Sequence, residues 1–356
     1  MNVPKLRFKE FNDEYVKLKY KDVLKIKSGK DQKQVENKNG KYPILGTGGQ
    51  IGKTNSFLYD KPSVLIGRKG TINKPQYMES PFWTVDTLFY SHIYEPNIPK
   101  YLFYSFQNVN WKKYDESTGV PSLSSSTIEN VECNIPSPNE QIKVANFLSL
   151  LDKKIELQTK KIEDLKLFKK GLIHNEKRNN NFWNEYKISD IMNITRGTVI
   201  PKMEISECLN NEFRYPVYSS QTSNNGILGY DNKYDFNGKF LTWTTDGANA
   251  GKVFYREGKF RCTNVCGILY NKDNRYVSEL TAELLNIETP KYVSYVGNPK
   301  LMNNVMSNII IKLPDPSRDH FFSSILKIIN KKLTIEEEKL DKLFELKKGL
   351  MQNMFV

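Results

Sequence analysis

Apolar positions at steps of three and four run through two stretches of the chain, and the two stretches copy each other. Leu148, Leu151, Ile155, Ile162, Leu165 and Leu172 form the first stripe, and Leu326, Ile329, Leu333, Leu340, Leu343 and Leu350 repeat it 178 residues on. With one polar gap, this is the seam of a coiled coil. The interruptions repeat as well: Gln158 matches Glu336 and Lys169 matches Lys347, as register-setting polar sites do. Ser137, Pro138 and Glu140 stand where an N-cap, a first-turn proline and a capping-box acid belong. Asp315 and Pro316 repeat the cap and the proline, while Arg318 replaces the acid. Each stretch predicts a helix of about 35 residues, roughly 50 Å long. One leucine stripe alone would be an ordinary core helix; two with a shared seam, each closing one half of the chain, are partners.

Outside the helices the period changes to two. Residues 15–30 alternate polar and apolar and stop at a Ser-Gly turn, predicting a strand entry. Residues 183–198 repeat the layout, with Asp22 matching Asp190, Ile26 matching Ile194 and Gly29 matching Gly197. Tyr42-Pro43-Ile44 and Tyr215-Pro216-Val217 each lead into a small-residue segment, GTGGQIGKT or SSQTSNNGILG. Glycine-punctuated β-rich runs follow at 63–70 and 239–258. The inner regions match weakly and the helices strongly, so two copies kept one scaffold while their variable parts diverged. The passages at 117–138 and 296–316 are polar, but Val120, Leu123, Ile128 and Val131 thread the first, predicting an ordered surface loop. EKRNNNF at 176–182 is the better linker candidate. The fold class is α+β, a tandem repeat with a globule at 1–135, a helix at 136–176, a second globule at 177–313 and a second helix at 314–356.

Composition sharpens this. The 356 residues carry a net charge of +13, which favours a polyanionic partner, most often nucleic acid. Residues 1–178 hold 30 Lys and Arg against 20 Asp and Glu; the remainder hold 23 against 20. Cys133, Cys208, Cys262 and Cys266 are too scattered for a disulfide framework, and Cys262 and Cys266 lack a third ligand at zinc spacing. A charged N-terminus and the absence of a long apolar run make a reduced cytoplasm the default.

Enzymatic patterns are thin. GTGGQIGKT ends like a phosphate-binding loop, but Thr47 stands where its first glycine belongs. Asn298-Pro299-Lys300 begins like an amino-methyltransferase signature and lacks the aromatic that stacks on a flipped base. Asp246 with Glu257-Gly258-Lys259 imitates a Mg²⁺ nuclease, with a charged turn as the plainer alternative. His92, His174 and His320 have no nucleophile to serve. The expectation is no catalytic residue, no metal and no cofactor on this chain.

Binding chemistry is better supplied. Gly67-Arg68-Lys69-Gly70-Thr71, with Lys74 behind, offers backbone amides and cations at one turn, as a phosphate contact requires; Arg68 is also a fork for guanine. Lys53 and Thr54 end the GTGGQIGKT loop. In the second globule Ser219, Ser220, Gln221 and Thr222 line a loop, and glutamine pairs with adenine. Thr244, Thr245, Asn249 and Lys252 occupy a glycine-interrupted turn, and Lys300, Asn303 and Asn304 complete the set.

Globule, helix, globule, helix, with IPSPNEQ and LFKKGL flanking the first helix, resembles the specificity subunit of type I restriction-modification systems over essentially the whole chain. The resemblance implies two target-recognition domains, each reading half of a bipartite double-stranded DNA site, joined by two helices packed as an antiparallel coiled coil with pseudo-twofold symmetry. It implies a non-catalytic chain. It further implies that methyltransferase subunits, two of them, dock on the helices, that motor-nuclease subunits join, and that S-adenosylmethionine, ATP and Mg²⁺ belong to those partners. The rivals are a self-contained Mg²⁺ nuclease using Asp246 and Glu257, and a coiled-coil adaptor without a DNA role.

Overall fold

The computed structural model describes residues 3–178, 183–271 and 274–356. The chain divides into two compact units, 1–159 with 338–356, and 160–337. Each therefore owns part of both long helices.

In the first unit, β1 (Val16–Lys19) pairs antiparallel with β9 (Glu132–Ile135). A four-stranded sheet has the order β2 (Leu24–Lys27), β8 (Leu88–Ile93), β5 (Ser63–Gly67), β6 (Gln76–Met78). A three-stranded sheet has the order β4 (Gly49–Thr54), β3 (Tyr42–Gly46), β7 (Trp83–Thr84). Helices α1 (Pro99–Asn108) and α2 (Ser125–Asn130) follow the sheets. The single strand entry expected over 15–30 is in fact two strands in different sheets, parted by a 3-10 turn at Tyr20–Asp22. Strand β2 alternates buried and exposed residues as its sequence does, and β5 is buried throughout, as a continuous apolar run should be.

In the second unit, β10 (Trp183–Lys187) pairs with β17 (Ile310–Pro314). One six-stranded sheet runs β11 (Asn193–Arg196), β16 (Cys266–Tyr270), β14 (Phe236–Thr244), β15 (Val253–Cys262), β12 (Tyr215–Tyr218), β13 (Ile227–Asp231). Its helices are α4 (Ile188–Ile191), α5 (Glu279–Glu288) and α6 (Asn303–Ser307). The topology repeats that of the first unit once β6 and β7 are read as the two ends of β15. The parallel pairing of Ile44 with Trp83 and Leu45 with Thr84 reappears as Val217 with Arg261 and Tyr218 with Cys262. The matched glycines explain themselves here. A Cβ at Gly29 would stand 2.0 Å from Val85 O, and one at Gly197 would stand 2.3 Å from both Cys262 O and Thr263 O. Both positions let the chain pass against the same strand end.

The long helices are α3 (Pro138–Arg178) and α7 (Pro316–Met354). Within the second unit Lys161 reaches Glu336 (3.0 Å), Lys169 reaches Asn330 (3.1 Å) and Glu176 is salt-bridged to Arg318, so rising numbers on α3 meet falling numbers on α7. The helices are antiparallel. Within the first unit Lys347 pairs with Asp152 (2.6 Å), and Met351 and Met354 enter the core beside Val144, Ala145 and Leu148. Leu148, Leu151, Ile162, Leu326, Ile329 and Leu333 are buried, and Ile155, Leu165, Leu172, Leu340, Leu343 and Leu350 are half-buried. The linker expected at 176–182 is partly a correction: Glu176 lies in α3, buried against Arg318, and residues 179–182 lie outside those described. Glu140 also departs from its expected role, because Arg7 and Tyr15 hold its carboxylate.

Candidate nucleic-acid interface

At one end of each unit the strand connections are tied together by the same set of backbone hydrogen bonds. In the first unit, Arg68 N donates to Thr87 O (2.8 Å), Leu123 N to Arg68 O (2.9 Å) and Gly70 N to Pro121 O (2.8 Å). Val85 N donates to Leu45 O (3.1 Å) and Leu88 N to Val85 O (3.0 Å). In the second, Thr245 N donates to Val265 O (3.0 Å), Leu301 N to Thr245 O (2.9 Å) and Gly247 N to Pro299 O (2.9 Å). Thr263 N donates to Tyr218 O (2.9 Å) and Cys266 N to Thr263 O (3.0 Å). Each bond in the first set has its counterpart in the second. The bridge between Lys69 and Ser122 returns as one between Asp246 and Lys300.

The side chains on this shared frame differ. Arg68 and Lys69 stand where the second unit has Thr245 and Asp246, and Ser122 stands where it has Lys300. Arg68 and Lys69 are exposed, and Arg68 Nη1 makes only a long contact, 3.5 Å, to Asp86 O. In the second unit Asp246 lies between two cations, Arg196 Nη2 at 3.5 Å from Oδ2 and Lys300 Nζ at 4.0 Å from Oδ1. Thr245 Oγ1 stands 2.6 Å from Asp246 Oδ2 and accepts from Arg196 Nη2 (3.0 Å). Two polar atoms at this end are buried without a partner, Arg196 Nε and Asn303 Oδ1. Ligand or water completes such groups.

The loops between β3 and β4 and between β12 and β13 also differ. The first is a short Gly-rich tip, close enough to the Arg68 turn that a Cβ at Gly70 would stand 3.8 Å from Thr47 Oγ1, and Gln76 Nε2 donates to Gly46 O (2.9 Å). The second is longer, and Asn224 and Asn225 turn it with φ of 48° and 50°, a region asparagine tolerates. Ser219 joins it to the frame, its hydroxyl 3.1 Å from Thr263 Oγ1.

Several expected contacts are corrected. The amides of Arg68, Lys69 and Gly70 are not bare, since they donate to Thr87 O and Pro121 O; only the side chains remain for a phosphate. Thr54 is buried and accepts from Ser56 N (3.0 Å), and Lys53, though exposed, sits at the opposite end of the β3–β4 hairpin from its tip, paired with Pro43. Thr244 and Thr245 are buried, their hydroxyls spent on Asn249 O and on Val265 O and Asp246. Gln221 is half-buried and its Nε2 donates to Ile227 O, which ties the amide to its own loop and leaves one of its two N–H groups for a base edge. Lys252 is exposed, and its ammonium lies 6.0 Å from the centre of the Phe254 ring in β15. Lys74, Asn249, Lys300 and Asn304 are exposed, and Thr71, Ser219, Ser220, Thr222 and Asn303 are half-buried. Arg196 escaped the sequence reading, as did Asp246 as a binding residue: Lys69 and Asp246 are 177 residues apart, so the 178-residue offset of the helices sets Asp246 against Arg68 instead.

The nuclease arrangement does not assemble. Glu257 pairs across β14 with Lys239 and is salt-bridged to Lys327 (2.7 Å), whereas Asp246 lies beyond the Trp243–Val253 pair. Four residues of strand, about 13 Å, separate that pair from Glu257. Among the described residues no group of three or more His, Cys, Asp or Glu could hold a metal ion, and no helix is long and apolar enough to cross a membrane.

The comparisons agree with this architecture. The N-terminal part of a type I specificity subunit from Mycoplasma pneumoniae is 47% identical over 125 residues, 35% of this chain and 65% of that one. The specificity subunit of the M. pneumoniae type I restriction enzyme MpnII is 42% identical over 130 residues, 36% of this chain and 38% of that one. The chain thus matches less than two thirds of the length of either relative. The crystal structure of a type I restriction-modification S subunit from M. genitalium shares the fold, with a TM-score of 0.79 over 99% of both chains at 17% identity. The family model for the type I restriction modification DNA specificity domain matches twice, over residues 12–167 and 180–345. With two such domains covering most of its length, the chain belongs to the type I restriction-modification DNA specificity family.

Proposed function

We propose that the chain is the DNA-recognising component of a type I restriction-modification assembly and reads a bipartite double-stranded target, one half-site per unit. The observation that carries this is the pair of loop ends with one hydrogen-bonded frame and different side chains at its positions, among them the exposed Arg68, Lys69 and Lys300 and the partly exposed Asp246. A common frame presents its residues to the same kind of ligand in the same way, and different side chains at its positions read different bases. Methyl transfer and cleavage belong to partner subunits, which bring S-adenosylmethionine, ATP and Mg²⁺.

The helices support partner docking. Leu150 and Ile328, equivalent positions, are 69% and 70% exposed, and the equivalent Leu157 and Ile335 are exposed too. Apolar residues repeated on the outer face of a coiled coil suit a protein partner, and their presence in both copies suits two methyltransferase subunits.

The test is to assemble the chain with its methyltransferase subunits and map the modified bases on plasmid and genomic DNA. The expected result is one split motif whose halves differ in sequence, with no methylation or cutting by the chain alone. Methyl transfer or cleavage by the pure chain overturns the reading. So does an assembly that modifies DNA without sequence preference, and DNA binding absent at low salt leaves the adaptor.

A further inference from the structure

We infer that the frame position held by Lys69 in the first unit and Asp246 in the second determines which base is read there, so that the two half-sites present opposite hydrogen-bonding groups at this position. The first half-site offers the acceptors of a guanine edge. The second offers an exocyclic amino group, cytosine N4 or adenine N6. The inference rests on the reading of the chain as a DNA-specificity component and supplies its base chemistry.

The two residues sit on equivalent bonds of the frame, Lys69 bridged to Ser122 and Asp246 to Lys300. A lysine ammonium only donates, and a carboxylate only accepts. A donor at this position suits guanine N7 and O6, while an acceptor suits the amino group of cytosine or adenine.

An acid facing DNA must overcome repulsion from the phosphates, and here it is shielded. Arg196 and Lys300 stand on either side of the Asp246 carboxylate, leaving a local charge of one positive unit. The two oxygens are not alike. Oδ2 is held by Thr245 Oγ1 at 2.6 Å and by Arg196, which fixes the plane of the carboxylate. Oδ1 has only Lys300 Nζ, at 4.0 Å, beyond hydrogen-bond distance, so its lone pairs are open to a donor from outside. The side chain is 25% exposed, enough to be touched and too little to wander. The unpartnered Arg196 Nε and Asn303 Oδ1 belong to the same end and fit a surface completed by its ligand.

The test uses the full chain assembled with its methyltransferase subunits and selects bound sites from random DNA for the native protein, Asp246→Asn, Asp246→Ala and Lys69→Met. Asparagine keeps the shape and one acceptor, so folding is preserved even if the alanine variant fails. Expected for Asp246→Ala is the loss of roughly tenfold or greater preference for a C or A at one position of one half-site, with the other half-site unchanged. Asp246→Asn should retain part of that preference, and Lys69→Met should relax a G in the other half-site only. Base preferences unchanged in all three variants overturn the inference. So does uniform weakening across sequences with a flatter salt dependence, which would assign these residues to phosphates. A native protein that selects a split motif while the variants keep it intact leaves the proposed function standing and removes this inference. A native protein that selects no motif removes both.

Discussion

Glu140 and Arg318 occupy the same turn of their two helices, 178 residues apart, and each is bound to a partner of the opposite charge. Glu140 is almost fully buried and takes two hydrogen bonds from Arg7, at 2.8 and 2.7 Å; Arg318 is salt-bridged to Glu176, itself 3% exposed. Equivalent helix positions thus carry opposite charges, and each draws its partner from a different part of the chain, Arg7 from the N-terminal segment and Glu176 from α3. In each case the acid is the buried member, which makes the arginine the partner that cannot be lost.

Arg7→Ala should cost about 3 kcal/mol, because it leaves the Glu140 carboxylate buried with only the Tyr15 hydroxyl at 3.0 Å. Arg318→Glu should lower the melting temperature by setting two acids against each other, and Glu176→Arg added to it should restore most of the loss. Thermal unfolding of the two single variants and the double variant decides this; a double variant no better than Arg318→Glu would mean that the pair contributes nothing.

The helices were legible because their signal is local. A seam at steps of three and four, capped by Asp315 with its carboxylate on Ser317 N (3.0 Å), needs no knowledge of the rest of the chain. Gly29 and Gly197 were legible as a match but not as a contact, since the carbonyls they pass belong to residues far along the sequence. The same nonlocality hid the binding frame. Arg68 and Thr245 share no side-chain chemistry, and only their backbone bonds to Leu123 and Leu301 reveal them as equivalents. Thr244 and Thr245 misled because polar residues in a glycine-rich stretch read as surface, whereas a strand end can turn β-branched hydroxyls inward. Alternation over 15–30 continued through the Tyr20–Asp22 turn, and period alone does not report that a chain has changed sheets.

The seam should be graded by burial rather than by heptad position alone. Leu151 is 8% exposed, so Leu151→Ala should cost about 2 to 4 kcal/mol. Lys160 is exposed and should tolerate alanine. Lys161, equally off the seam by sequence, should not behave like its neighbour, because its ammonium holds the buried Glu336 at 3.0 Å. Urea denaturation of the three variants should rank the losses Leu151, then Lys161, then Lys160. Equal behaviour of the two lysines would show that Glu336 finds compensation elsewhere.

Partner docking on the outer helix face predicts a separation of stability from assembly. Leu150→Glu and Ile328→Glu replace side chains that are 69% and 70% exposed, so each should leave the melting temperature within a degree or two and raise solubility if anything. Together they should weaken capture of the methyltransferase subunits at least tenfold in a pull-down or by sedimentation, at the cost of one apolar anchor per copy. Full assembly by the double variant would place the docking face elsewhere.

Asp319 makes the second unit sensitive to mild acidity. It lies in the first turn of α7, is 5% exposed and accepts from Ser278 Oγ at 2.8 Å. Burial pushes its pKa up from an ordinary 3.8 to about 6, while hydrogen bonds from Ser278 and Ser323 and the charge of His320 hold it back. Between pH 4 and 6 the folded state thus binds more protons at this group than the unfolded state does, so its contribution to stability falls as pH rises. That contribution is most favourable below pH 4 and has been lost once the pH exceeds 6, a difference on the order of 3 kcal/mol. The first unit avoids the cost: the equivalent residue is Gln141, whose neutral Oε1 accepts from Ile98 N (2.8 Å), the residue before α1 just as Ser278 is the residue before α5. Asp319→Asn should import that solution. Comparing the variant with the native chain by urea denaturation cancels the other titrating groups: the two should be alike at pH 4, and the variant should gain stability steadily up to pH 6 and hold the gain above it. A gain that is constant with pH would mean that Asp319 is ionised at no cost in the folded chain.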